Sequence, residues 1–207
     1  MTTRGVAGVR APSVVRVPAG EGGLPGFHLG RTPVTNAEYA PYLAEGDVAE
    51  PPWWKDAAFA APDQPVVGVT WSDALGFAAW LGRVVGGRWR LPTAAEWERA
   101  ARGGLEGAAT PWGERLPEGE VPAGPLLGPW PAGRGTPNGY GLMDMGTIVH
   151  EWCSDLLLDP RAPEGERRVS CGGSWRHQVR WSPPAARSSL PPSYRYADYG
   201  FRVLREA

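Results

Sequence analysis

Arg90-Leu91-Pro92-Thr93-Ala94-Ala95-Glu96-Trp97 is the stretch from which the fold is read. Thr93 followed by Glu96 is a capping box. The threonine oxygen accepts from the third backbone N–H of a helix, and the glutamate reaches back to the threonine's own N–H. This spacing predicts a helix from residue 94 to residue 102, stopped by Gly103-Gly104. Toward the N-terminus, Phe77, Trp80, Leu81 and Val84 fall on one apolar stripe of a second helix over 72–85. Thr70 or Ser72 caps it, and Gly86-Gly87 ends it. Thr35-Asn36-Ala37-Glu38 is another capping box, opening a shorter helix toward Gly46. Pro41 removes one of its hydrogen bonds and predicts a kink or an early end.

Outside the helices, Val14-Val15-Arg16-Val17 reads as a short strand, and Pro65-Val66-Val67-Gly68-Val69 as a brief extended stretch. From Gly107 to Gly139 the chain is rich in glycine, proline and turn formers, an ordered loop plugged by Trp112 and Trp130. Glu151-Trp152-Cys153, Arg168-Val169-Ser170-Cys171 and Phe201-Arg202-Val203-Leu204 are candidate strands. Helices first and strands last give an α+β order with two to three helices and small antiparallel sheets.

Composition narrows the function. A chain of 207 residues is long enough for one domain, or at most two small ones, with a single domain expected, and its net charge of −1 gives no electrostatic drive toward nucleic acid or an acidic membrane. Gly 29 and Pro 23 alone would indicate low complexity, but Trp 11 speaks for ordered loops. Two cysteines, Cys153 and Cys171, exclude a disulfide-rich scaffold and a four-cysteine zinc site. They read as two buried thiols or a structural disulfide, with a redox pair as the remaining alternative. His28, His150 and His177 lack ligand spacing and read as surface or hydrogen-bonded histidines, so no metal and no cofactor is expected. No signal-peptide layout or membrane-length apolar run appears, which gives the expectation of a cytoplasmic monomer. Lys55 is the sole lysine, and the arginine and proline bias fits a GC-rich, thermophilic source.

Several ordered segments resemble the formylglycine-generating-enzyme/sulfatase-modifying-factor family: Arg31-Thr32-Pro33-Val34-Thr35-Asn36, the Arg90 to Glu98 stretch, Asn138-Gly139-Tyr140-Gly141-Leu142-Met143-Asp144-Met145, Gly172-Gly173-Ser174-Trp175 and Gly200-Phe201-Arg202-Val203. The resemblance spans roughly Val14 to Leu204 and implies a loop-rich C-type-lectin-like domain with its two termini paired in one sheet. The motifs themselves read as scaffold, with Asp144 and Glu151 ordering backbone amides of the loops. The resemblance also implies, for members that oxidise cysteine, a copper-binding cysteine pair after the Gly-Gly-Ser-aromatic motif. Arg176 to Arg187 contains no cysteine here. The calcium associated with Gly-Asn before Val-Trp-Glu-Trp meets Thr147-Ile148 instead, and isoleucine has no oxygen to offer.

The last forty residues are similar to the variable proteins of diversity-generating retroelements, which share this fold. That resemblance implies a non-catalytic display protein with a variable region over 172–204. Its ligand-binding residues would be Arg176, His177, Gln178, Arg180, Trp181, Leu190, Ser193, Tyr194, Tyr196, Ala197 and Asp198. Of these, all but Ser193 and Ala197 are expected to share one exposed face, with Trp175, Arg187 and Phe201 more buried, and the face to bind a protein or other macromolecule. Tyrosine, tryptophan and arginine on proline-stiffened loops suit such a role. The alternatives are a copper oxidase of the formylglycine-generating type with relocated ligands, and a pseudoenzyme of that family.

Overall fold

The structure is a computed structural model that describes residues 9–20, 23–46, 48–122, 126–158, 166–177 and 183–206. Each helix starts at a complete capping box: Thr35 with Glu38, Thr70 with Asp73, and Thr93 with Glu96. They open α1 (Asn36–Ala44), α2 (Trp71–Val85) and α3 (Ala94–Arg102). Each cap satisfies otherwise orphaned N–H groups and stabilises its helix by about 1 kcal/mol. Thr70, not Ser72, caps α2. Pro41 lies inside α1, which ends at Ala44, short of the Gly46 expected from sequence.

The strands form two sheets of four. β1 (Val14–Val17), β2 (Phe27–Gly30), β3 (Trp89–Arg90) and β8 (Leu204–Arg205) make the first, in the order β1-β2-β8-β3, all antiparallel. The C-terminal strand thus pairs with an N-terminal one, although it is shorter than the expected 201–204 and lies at its end. β4 (His150–Leu158), β5 (Glu166–Cys171), β6 (Arg187–Leu190) and β7 (Tyr199–Gly200) make the second, in the order β6-β5-β4-β7. Its β4–β7 pairing is parallel, with His150 opposite Tyr199. Pro65-Val66-Val67 is not a strand; it forms a single bridge from Thr35 to Pro65, and the Val66 N–H donates to Val34 O at 2.9 Å.

The stripe of α2 packs as its period requires. Phe77, Trp80 and Leu81 are buried, and Phe77 meets Tyr39 of α1 at 5.6 Å and Phe201 at 5.4 Å between ring centroids. α3 covers a second cluster that includes Phe27, Leu29, Trp97, Leu142, Cys153 and Cys171. A third, with Phe59, Trp130, Ile148 and Ala197, lies under the long loop, so Trp130 plugs it as expected. Trp112 is half-buried, its indole N–H donating to Thr136 O at 2.7 Å.

Between these layers sits an ion pair with no exposure at all, Arg202 with Glu151. Arg202 Nε donates to Glu151 Oε2 at 2.6 Å and Nη2 to Oε1 at 2.8 Å. Nη1 reaches Gly30 O and Arg31 O, and Nη2 also reaches Met143 O. A guanidinium has five N–H donors, and here each has an acceptor. Glu151 Oε2 also accepts the Trp97 indole N–H at 2.7 Å. The carboxylate therefore holds an arginine and a tryptophan rather than the loop amides expected from sequence.

Asp144 has the left-handed φ of 59° and accepts the Gly133 N–H on Oδ2, while its Oδ1 is buried without a partner. Burial accordingly raises its pKa from 3.8 to about 6, against the opposing pull of that hydrogen bond and of Arg202.

Two predictions follow from these buried charges. Arg202→Met leaves Glu151 buried and uncompensated, and urea unfolding should show a loss of about 3–5 kcal/mol; Glu151→Gln/Arg202→Met should lose less than the arginine single variant. For Asp144 the folded state holds the proton more tightly than the unfolded chain. The resulting stabilisation is complete below the ordinary carboxylate value and disappears as pH rises through about 6. Asp144→Asn, which tolerates a left-handed backbone, should therefore gain stability relative to wild type as pH is raised from about 4 to about 6 in urea titrations.

Candidate functional site

The C-terminal face is built on the second sheet and on the turn that follows β5. Gly172 begins that turn with φ of 75°, and a side chain there would meet Gly146 Cα at 2.8 Å and the Trp97 ring at 3.0 Å. Only glycine accommodates both the angle and the approach. The Trp175 N–H donates to Ile148 O at 3.0 Å and its indole to Ala197 O at 3.2 Å. These bonds fix Trp175, half-buried, as the floor from which Arg176 and His177 project into solvent. The Arg176 guanidinium lies 5.0 Å from the Trp175 ring centroid.

The loop before β7 is clamped from below. Arg195 donates to Gly68 O at 2.8 Å and pairs with Asp73 at 2.8 Å. The Gly68 N–H donates to Tyr196 O at 3.0 Å and the Trp71 N–H to Pro192 O at 3.1 Å. With Arg195 turned inward, its neighbours Tyr194 and Tyr196 are each 40% exposed. A run of ring contacts then crosses the face: Tyr194 to Tyr196 at 5.9 Å, Tyr196 to Tyr199 at 5.8 Å, Tyr199 to His150 at 4.8 Å and His150 to His177 at 5.2 Å.

Arg176, His177, Ser193, Tyr194 and Tyr196 are exposed, and the ring contacts that link Tyr194 and Tyr196 to His177 run through buried Tyr199 and half-buried His150. Leu190, at the end of β6, is half-buried against the core around α2. Asp198 corrects the expectation of exposure, and Ala197, expected to bind ligand, is buried as well. Ala197 belongs to the third cluster, and Asp198 is only 6% exposed, its carboxylate accepting the Ser174 hydroxyl at 2.8 Å and its backbone carbonyl the His150 N–H at 2.9 Å. A buried carboxylate at this spot is tolerable because it is hydrogen-bonded. Gln178, Arg180 and Trp181 lie outside the described residues. Of the expected floor, Phe201 is buried, but Arg187 is exposed and pairs with Glu98 at 2.6 Å on the rim of a separate charged cleft of about 450 Å³.

His150 and Arg195 were not among the expected site residues. The arginine sits unmarked between two tyrosines. The histidine reaches the face only through the parallel pairing of β4 with β7, which no local pattern announces. The His150 Nδ1 lies 2.8 Å from Gly172 O. Burial lowers the pKa of His150, with Asp198 pulling the other way.

Cys153 and Cys171 are free thiols on neighbouring strands, 3.6 Å apart, fully buried beneath α3. Burial pushes the Cys153 thiol well above its ordinary pKa, so it stays protonated at neutral pH. No helix of the described residues is long and apolar enough to cross a membrane.

Known proteins share this architecture. The formylglycine-generating enzyme of Thermomonospora curvata is 34% identical over 210 residues, covering 77% of this chain and 66% of that protein. The structure of PvdO from Pseudomonas aeruginosa superposes with a TM-score of 0.73 at 28% identity, over 89% of this chain and 82% of that one. Treponema denticola variable protein 1 gives the same TM-score, 0.73, at 20% identity, over 95% of this chain and 92% of that one, and shares the fold. The sulfatase-modifying factor enzyme 1-like domain model matches residues 3–207, and the chain belongs to that family.

Proposed function

We propose that the chain is a non-catalytic member of its family that binds a protein or other macromolecular ligand through the C-terminal face. The observation that carries this reading is the continuous run of rings from Tyr194 to His177, exposed at both ends and clamped from below by Arg195. Exposed tyrosines on a pre-ordered loop bury area at low entropic cost and are typical binding hot spots. The fold shared with a variable protein supports a display role of the diversity-generating kind, with Arg176, His177, Ser193, Tyr194 and Tyr196 as its presented residues.

The residues present do not suit a copper oxidase. A substrate-accessible Cu(I) centre needs soft thiolate ligands. The chain's only two cysteines are both fully buried in the apolar cluster beneath α3, and burial pushes the Cys153 thiol well above its ordinary pKa. Nor does the calcium motif fit, since Ile148 is buried among Phe59, Val67 and Trp130, and both Glu151 oxygens are engaged by Arg202.

Panning a random peptide phage library against the purified chain tests the reading. Selected peptides should lose binding to Tyr194→Ala and Tyr196→Ala, while each variant changes stability by no more than about 0.5 kcal/mol. Peptides that bind all variants alike would refute this face as the binding surface. In parallel, the chain supplied with Cu(I), oxygen and a cysteine-containing sulfatase-type peptide should yield no aldehyde; aldehyde formation would restore the oxidase reading.

A further inference from the structure

We propose that His150, His177 and Asp198 form a binding site for one divalent first-row transition metal ion, of the zinc or ferrous iron type, at the centre of the C-terminal face. The proposal goes beyond the ligand-binding role and stands without it. One ring nitrogen from each histidine and one carboxylate oxygen all lie within 4.8 Å of one another. Among the described residues this is the one cluster of three or more histidine, cysteine, aspartate or glutamate side chains so arranged. Two imidazoles and one carboxylate suit zinc or ferrous iron; magnesium and calcium prefer an all-oxygen set.

The supporting bonds are those a metal site requires. A carbonyl oxygen can only accept, so the 2.8 Å contact from His150 Nδ1 to Gly172 O places the proton on Nδ1. The lone pair of Nε2 is thereby free, and the ring orientation is set. Tyr199 holds the other side of that ring, with centroids 4.8 Å apart. Asp198 is fixed twice. Its backbone carbonyl accepts the His150 N–H at 2.9 Å, and its Oδ2 accepts the Ser174 hydroxyl at 2.8 Å. Ser174 also anchors His177 within the turn after β5, its backbone carbonyl accepting the His177 N–H at 2.9 Å. One serine therefore positions two of the three ligands.

The geometry is that of an open site. Tetrahedral zinc with bonds of about 2.0–2.1 Å brings its ligand atoms to about 3.3 Å from one another, closer than the 4.8 Å limit here. Asp198 is buried and His150 is pinned, whereas His177 is exposed at the end of a turn. His177 is the ligand that closes onto the ion. Three protein ligands leave at least one position facing solvent, available to water or to an oxygen donor of whatever docks on the face.

The test uses the full chain, stripped with a chelator and titrated with Zn²⁺ by calorimetry and with Co²⁺ by absorption. Wild type should take up one equivalent, and the cobalt spectrum should show nitrogen and oxygen ligands without thiolate charge transfer. His177→Ala, at an exposed position where folding is not at risk, should weaken binding about 100-fold or more, and Ser174→Ala about 10-fold as a positioning residue. His28→Ala, on β2, should bind as wild type does. Absence of binding, stoichiometric binding that survives His177→Ala, or a thiolate band placing the ion on Cys153 and Cys171 would each overturn the proposal. Peptide binding that depends on Tyr194 and Tyr196 is read separately, so either idea can fail without the other.

Discussion

Everything in this fold is arranged around one desolvated guanidinium. Arg202 lies between β7 and β8, so its position links the C-terminal segments of both sheets. Its hydrogen bonds reach the end of β2, the loop at Met143 and the Glu151 carboxylate on β4, and Glu151 in turn holds α3 through Trp97. Removing both charges from water is expensive, and the net stabilisation of such a pair is small even when all donors are satisfied. What the pair contributes is uniqueness. An apolar cluster would accept several registers of the loops around it; five directed hydrogen bonds accept one.

The local grammar of the chain was easy to read, and for a physical reason. Capping boxes and an apolar stripe are interactions within a few residues, so Thr93–Glu96 or Phe77–Trp80–Leu81 carry their meaning wherever they are placed. The parallel contact of β4 with β7 is different, since it joins His150 to a residue far along the chain and leaves no periodic trace. Glu151 misled for the same reason. A lone carboxylate near a loop looks like an amide acceptor until the distant arginine is placed beside it.

The face was legible in composition but not in orientation. The tyrosines, Arg176 and His177 were identified by residue type, and their exposure accords with it. The charge of Asp198 predicts a surface position, whereas it lies beneath the face, bonded to Ser174. Arg187 erred in the other direction. Its motif predicts a scaffold position, but it satisfies its charge on Glu98 at the surface. Charge alone does not decide burial; the availability of a partner does.

The position of β8 has a consequence for biosynthesis. It lies between β2 and β3 as an inner strand of the first sheet, although it is formed by residues 204–205. During translation β1 and β2 can pair as a hairpin as soon as both have emerged, but the other side of β2 has no partner until β8, about 175 residues later, has left the ribosome. Until then the nascent protein carries an unpaired strand edge, the kind of surface on which neighbouring chains aggregate. A ribosome stalled anywhere before residue 204 would release a product lacking an inner strand of the first sheet.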